Sequence, residues 1–152
     1  MSTPSKIILK IREEDKGKKV KFSLFGLPIP YMEWIERDHN GKVWRNDAAD
    51  CVCEEVTLNG DYIGIYCHWD GYPRNVGKVF RQKFKTYDTI LNLIVGGFAS
   101  SICNGLKHYA NRKDDEWKDN KPIQGSLEEV ENEIYGQFEY VFENDKWTTK
   151  KC

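Results

Sequence analysis

The chain has 152 residues, 13% of them aromatic, which suits one folded domain with a real core and excludes a disordered tract. Its 23 basic and 24 acidic residues leave a net charge of −1, so no global field directs it to nucleic acid or to a membrane. Residues 1–6 hold no apolar run of a signal peptide. The longest apolar stretch, 90–98, falls far short of the ~20 residues a membrane span needs, so a cytosolic chain is expected. Five cysteines, an odd count, read as reduced thiols rather than a disulfide framework.

Residues 1–50 read as strands. Ile7, Leu9 and Ile11 share one face of a strand over Lys6–Arg12. Asp15-Lys16-Gly17 turns the chain, and Val20, Phe22 and Leu24 share the next face. Leu27-Pro28-Ile29-Pro30 cannot sit in a central ladder, because proline has no N–H to donate. Tyr31–Glu36 and Lys42–Arg45 flank the turn-forming Asp38-His39-Asn40-Gly41. Aromatic residues here and later (Tyr31, Trp34, Trp44, Tyr62, Tyr66) could pack or could stack on a planar ligand.

From residue 51 onward the pattern sharpens. Asn59-Gly60 between two β-rich runs predicts a two-residue hairpin turn, with Val56 opposite Ile63 and Val52 opposite Cys67. Ile63, Ile65, Cys67 and Trp69 then face the core, and Cys51, Cys53, Tyr66, His68 and Asp70 face away from it. Val76, Val79, Phe80 and Phe84 predict a helix with Arg74, Lys78, Arg81 and Lys85 on its other side. A second helix runs from Thr86 or Asp88 to Val95 and stops at Gly96-Gly97. Residues 98–109 suit a third short helix interrupted by Gly105. Ser126 and Glu129 have capping-box spacing, and Phe138, Tyr140 and Phe142 alternate into a hairpin that turns at Asn144-Asp145. Strands, then helices, then strands predict a single α+β domain over 1–152. Its mainly antiparallel sheet of hairpins would pack against two or three central helices.

One string is more specific than its composition. It runs Ile65-Tyr-Cys-His-Trp-Asp-Gly-Tyr-Pro73, then Val76-Gly77, a helix, Leu93-Ile94, Gly97 and Ser100, with Glu139-Tyr140-Val141-Phe142 and Trp147 downstream. It resembles a family of small phage and prophage proteins of uncharacterised function, over residues 60–147 with gaps and not over 1–45. The resemblance implies a viral source, a host-cell cytosolic location and a related fold, but brings no catalytic role. Phe98-Ala99 departs from the polar or acidic residue the family carries before the serine, so a site built on that acid would be absent.

Four groups are candidates for chemistry. His68 and Asp70 stand at a strand end where Gly71 turns the chain, and Asp70 could orient the imidazole for proton transfer; equally, both could tie down the turn. In the hairpin register Cys51 lies opposite His68 with Cys53 beside it, a partial metal set lacking a fourth ligand; strand cysteines also serve as small buried apolar groups. The stretch 74–85 holds Arg74, Lys78, Arg81, Lys83 and Lys85 and no acid, a face suited to phosphate or simply to solvent. The acid-rich stretch 112–145, with eleven acids against four bases, could neutralise it. Tyr66, His68, Asp70, Tyr72, Arg74, Lys78 and Arg81 together form the expected binding surface for an anionic ligand with a planar ring.

With no phosphate loop, dinucleotide fingerprint, serine elbow or zinc-protease helix in the sequence, the leading expectation is a non-catalytic binding protein. It would take a host protein or a nucleotide-like anion, with countering host defence as its role, and no cofactor or membrane is expected. A phosphate-ester hydrolase or nuclease using His68 and Asp70 is the alternative, and a virion or assembly protein the third. Self-association is left open.

Overall fold

The computed structural model describes residues 2–23, 53–103, 106–112 and 115–152. The expected strands at 31–36 and 42–45, the aromatics Tyr31, Trp34 and Trp44, and the candidate ligand Cys51 lie outside the described residues.

The strands are β1 (Ser5–Lys10), β2 (Lys19–Val20), β3 (Val56–Thr57), β4 (Tyr62–Cys67), β5 (Ala99–Ser101), β6 (Lys107–His108), β7 (Ile123–Gly125), β8 (Phe138–Glu143) and β9 (Lys146–Lys151). The helices are α1 (Lys78–Lys83), α2 (Tyr87–Val95) and α3 (Leu127–Glu133), with a five-residue π-helical turn at Pro73–Gly77 leading into α1. One seven-stranded sheet has the order β6-β5-β4-β1-β8-β9, with β7 also pairing β4; β2 and β3 form a separate two-stranded sheet. The fold is α+β, and the sheet is mixed rather than purely antiparallel: β1 runs parallel to β8, and β4 parallel to β5.

The sheet has two faces because the strand period is two. On one face Ile7, Leu9, Ile63, Ile65, Cys67, Tyr140 and Phe142 join the buried residues of α1 and α2 in the main core. On the other, Ile8 and Val141 meet Val130 and Ile134 of α3 in a smaller cluster. Gly64 seats α3 there: a Cβ at this position would lie 2.9 Å from the Val130 side chain and 3.0 Å from Ile134.

Helix ends follow their sequence signals. Thr86 caps α2 by accepting a bond from the Thr89 N–H at 3.2 Å, and Gly96 follows its last residue. Ser126 and Glu129 form the expected capping box on α3. Asn144 and Asp145, both with positive φ (55° and 61°), make the two-residue turn that sends β9 back along β8 for six residues.

Two expectations fail. The Asn59-Gly60 hairpin does not pair β3 with β4. Instead β3 pairs β2, with Val20 opposite Val56, while β4 pairs β1 along its whole length. The longer partner wins because it buries Ile7 and Leu9 beside Ile63 and Ile65, which the two-residue β3, half-buried at Val56 and exposed at Thr57, cannot match. The Asn59 and Gly60 N–H groups donate instead to Gln124 Oε1, at 2.8 and 3.2 Å. The described residues of 98–108 also form no helix: β5 (99–101) and β6 (107–108) lie there, because β5 extends the sheet beside the end of β4.

Candidate functional site

The expected site divides between the two faces of the sheet. Tyr66 packs on the α3 side, whereas Val76 and Phe80 seat the basic helix in the main core on the opposite side. The seven expected residues therefore do not form one surface.

On the first side, Tyr66 Oη and His68 Nδ1 are 2.5 Å apart. Burial holds both neutral: it lowers the His68 pKa and pushes Tyr66 up to about 12, with Tyr109 adding to the second effect. The imidazole is thus held by a phenol rather than by Asp70, so the expected His68–Asp70 proton relay lacks its orienting carboxylate. Asp70 instead takes the left-handed backbone conformation at the turn (φ 59°), a role the sequence suggested for Gly71. Gly71 is required for another reason. Its N–H donates to Thr3 O at 2.8 Å, and a Cβ there would meet that oxygen at 2.3 Å. The Tyr140 hydroxyl donates to Gly71 O at 2.6 Å and closes the turn onto the core. Trp69, placed in the core by parity, is only half-buried, because strand alternation ends where the chain turns at Asp70. Its indole meets the His68 ring edge-on at 4.7 Å.

The metal reading loses its geometry with the hairpin register: β4 is flanked by β1, β7 and β5, so no strand carrying Cys53 lies opposite His68. The Cys53 thiol donates to Gly96 O at 3.4 Å, at the end of α2. Among the described residues no three His, Cys, Asp or Glu side chains group as metal ligands.

The second side is where cations and aromatic rings meet. α1 lies along β8. Tyr72 contacts Phe138 (ring centroids 5.5 Å apart), Phe80 contacts Tyr140 (5.4 Å), and Trp147 of β9 contacts both Phe80 (4.6 Å) and Phe142 (5.3 Å). The Trp147 indole N–H donates to Phe84 O at 2.9 Å, tying the hairpin to the end of α1. A cleft of about 330 Å³ opens between them, within the size range of small-ligand sites. Arg81, Lys85 and Lys146 line it with Trp147 and Thr149, against one acid, Asp145. Arg74 sits over the Tyr72 ring, 4.9 Å from its centroid.

Among the described residues Arg74, Lys78, Arg81, Lys83, Lys85, Lys146 and Lys151 form no ion pair. Among the described residues no carboxylate of the acid-rich stretch pairs with these cations, and six of its acids pair with other bases. Asp115 pairs with Arg112, Glu116 with Lys118, Glu131 and Glu139 with Lys150, Glu143 with Lys10, and Asp145 with Arg12. Sequence reasoning missed Lys146, Trp147, Thr149 and Lys151. The period-two spacing of Trp147, Thr149 and Lys151 after the Asn144-Asp145 turn was the available signal, but only β8 shows which face they join.

No helix among the described residues is long and apolar enough to cross a membrane. Comparison of the chain with family models, with curated proteins and with solved structures finds no match.

Proposed function

We propose that the chain is a small phage- or prophage-type accessory protein that acts by binding, and that its ligand is a nucleotide-like anion held in the cleft between α1 and the β8–β9 hairpin. One observation carries this reading: Arg81, Lys85 and Lys146, none of them ion-paired among the described residues, converge on a cleft walled by the partly exposed Trp147. Cations supply the charge complement for a phosphate, and an aromatic edge suits a planar ring. Binding is favoured over hydrolysis because His68 is bonded to Tyr66, on the other face from these cations. The viral source rests on the 65–77 signature, and a role against host defence rests on analogy with small phage accessory proteins.

The test is calorimetric titration with ATP of the wild type and of a Lys78→Glu/Arg81→Glu double variant. The wild type binds and returns ATP unhydrolysed. The variant keeps its unfolding midpoint, since exposed substitutions of this kind shift stability by about 0.5 kcal/mol or less. Its affinity falls at least about tenfold, one charge-assisted contact or more. Equal affinity in both proteins, or turnover abolished by His68→Ala, contradicts the proposal.

A further inference from the structure

Beyond the cleft the same two elements carry further cations: Arg74 lies over Tyr72, whose ring contacts Phe138, and Lys151 stands opposite Phe138 on β9. On the helix bank, Lys78 and Arg81 stand one turn apart on α1, with Arg74 in the turn before it and Lys85 just after its end. On the strand bank, Trp147, Thr149 and Lys151 share one face of β9, opposite Phe142, Tyr140 and Phe138 respectively. An aromatic ring stands at each end: Trp147 beside Phe142, and the exposed Tyr72 beside Phe138, with Arg74 over it. The two ends are separated by the advance of β8 from 138 to 142, about 13 Å at the usual strand rise.

A mononucleotide fills the cleft at the Trp147 end and leaves Arg74, Lys151 and Tyr72 unused. We infer that the cleft together with the surface between it and Tyr72 takes a single-stranded nucleic acid, its phosphates tracked by the cations on α1 and β9 and its bases stacked against Trp147 and Tyr72. This rests on the nucleotide-binding reading above and specifies its ligand as a polymer. Stacking groups at intervals between phosphate-tracking cations are what a flexible strand with outward bases requires. A duplex hides its base faces and would use only the cations. The chain's net charge of −1 does not oppose this, because Asp145 is the one acid in the cleft lining, against Arg81, Lys85 and Lys146.

The experiment is fluorescence anisotropy with a labelled oligothymidylate of about ten nucleotides, within the range of single-strand site sizes. The same sequence annealed to its complement and free ATP serve as competitors. The wild type binds the single strand at least about tenfold tighter than ATP. The logarithm of its affinity falls with log salt at a slope of about −0.7 per phosphate engaged. Tyr72→Ala and Lys151→Glu, both at the end remote from Trp147, weaken the oligonucleotide at least about fivefold and leave ATP affinity unchanged. Thermal unfolding of both variants verifies that they fold, and Lys151→Gln serves as the milder variant if Lys151→Glu does not. If ATP binds and the oligonucleotide binds no tighter, the polymer inference falls and the nucleotide-binding reading stands. If neither binds, both fall. If duplex competes better than single strand, the stacking inference is overturned.

Discussion

Trp147 lies nearly flat on Phe80, their rings 4.6 Å apart and 14° from parallel, and this single stack fastens the C-terminal hairpin to the basic helix. The indole N–H reinforces it by donating to Phe84 O. Everything placed in the cleft depends on that contact, because it fixes Lys146 and Thr149 relative to Arg81 and Lys85.

Trp147→Phe separates the two parts of the contact. The aromatic stack survives while the N–H bond is lost, leaving the Phe84 carbonyl without that donor. A loss of about 1 kcal/mol in urea unfolding is expected. A cost near zero would show that the carbonyl finds water instead and that the bond does not anchor the hairpin.

The turn after β4 is held from two directions, and each can be cut separately. Gly71→Ala forces a Cβ to within 2.3 Å of the Thr3 carbonyl, so backbone must shift, at about 1–3 kcal/mol. Tyr140→Phe removes a buried hydroxyl that donates to Gly71 O and costs about 1–2 kcal/mol. Chemical denaturation measures both. Because the two variants act on one turn, their combined cost should differ from the sum.

Much of this was legible in the sequence, and the exceptions share a cause. The period-two runs at Ile7-Leu9-Ile11 and Phe138-Tyr140-Phe142, the helix stop at Gly96-Gly97 and the capping box at Ser126 are local signals, and the structure contains each of them. What failed was pairing. Asn59-Gly60 is a good local turn signal, but β4 takes a partner more than fifty residues away because that pairing buries more apolar surface. Losing the hairpin register also removed the strand argument that set Cys53 beside His68, and extending strand parity past Cys67, the end of β4, put Trp69 in the core. For the site, the basic stripe was legible as a helical spacing. Which strand faces it was not, since only the parallel docking of β8 on β1 brings Trp147 and Lys146 to that helix.

Trp69 and Phe80 make that difference measurable. Phe80 is 1% exposed and Phe80→Ala costs about 3–5 kcal/mol. Half-buried Trp69 costs clearly less on mutation to Ala, which thermal unfolding of the two variants side by side determines. Equal losses would restore Trp69 to the core.

The α3 interface carries a pH dependence. Glu139 is buried, with Oε1 unpartnered, and faces Glu131 and Lys150, with Lys6 alongside in the neighbouring strand. Burial first, then the contact with Glu131, raises its pKa to about 7, while its bond to Glu139 lowers that of Glu131. A carboxyl whose folded pKa is raised binds its proton more tightly in the native state. Its contribution is therefore whole below the ordinary value of 4.5 and is lost as pH rises to about 7. The Glu131 contribution has the opposite sign, present above its ordinary range and lost as pH falls. The Glu139 contribution should thus decline between about pH 4.5 and about pH 7, and stability of Glu139→Gln relative to the wild type should rise across that window. An identical slope in the variant would place the titrating group elsewhere.

The most direct test of the central claim is an amide and indole NMR titration with ATP. Binding in the α1–hairpin cleft predicts that the Trp147 indole N–H and the amides of Arg81, Lys85 and Lys146 shift together along one saturable curve, while those of Tyr66, His68 and Asp70 stay in place. Shifts that gather instead around His68 and Asp70, or a spectrum that does not change, would contradict it.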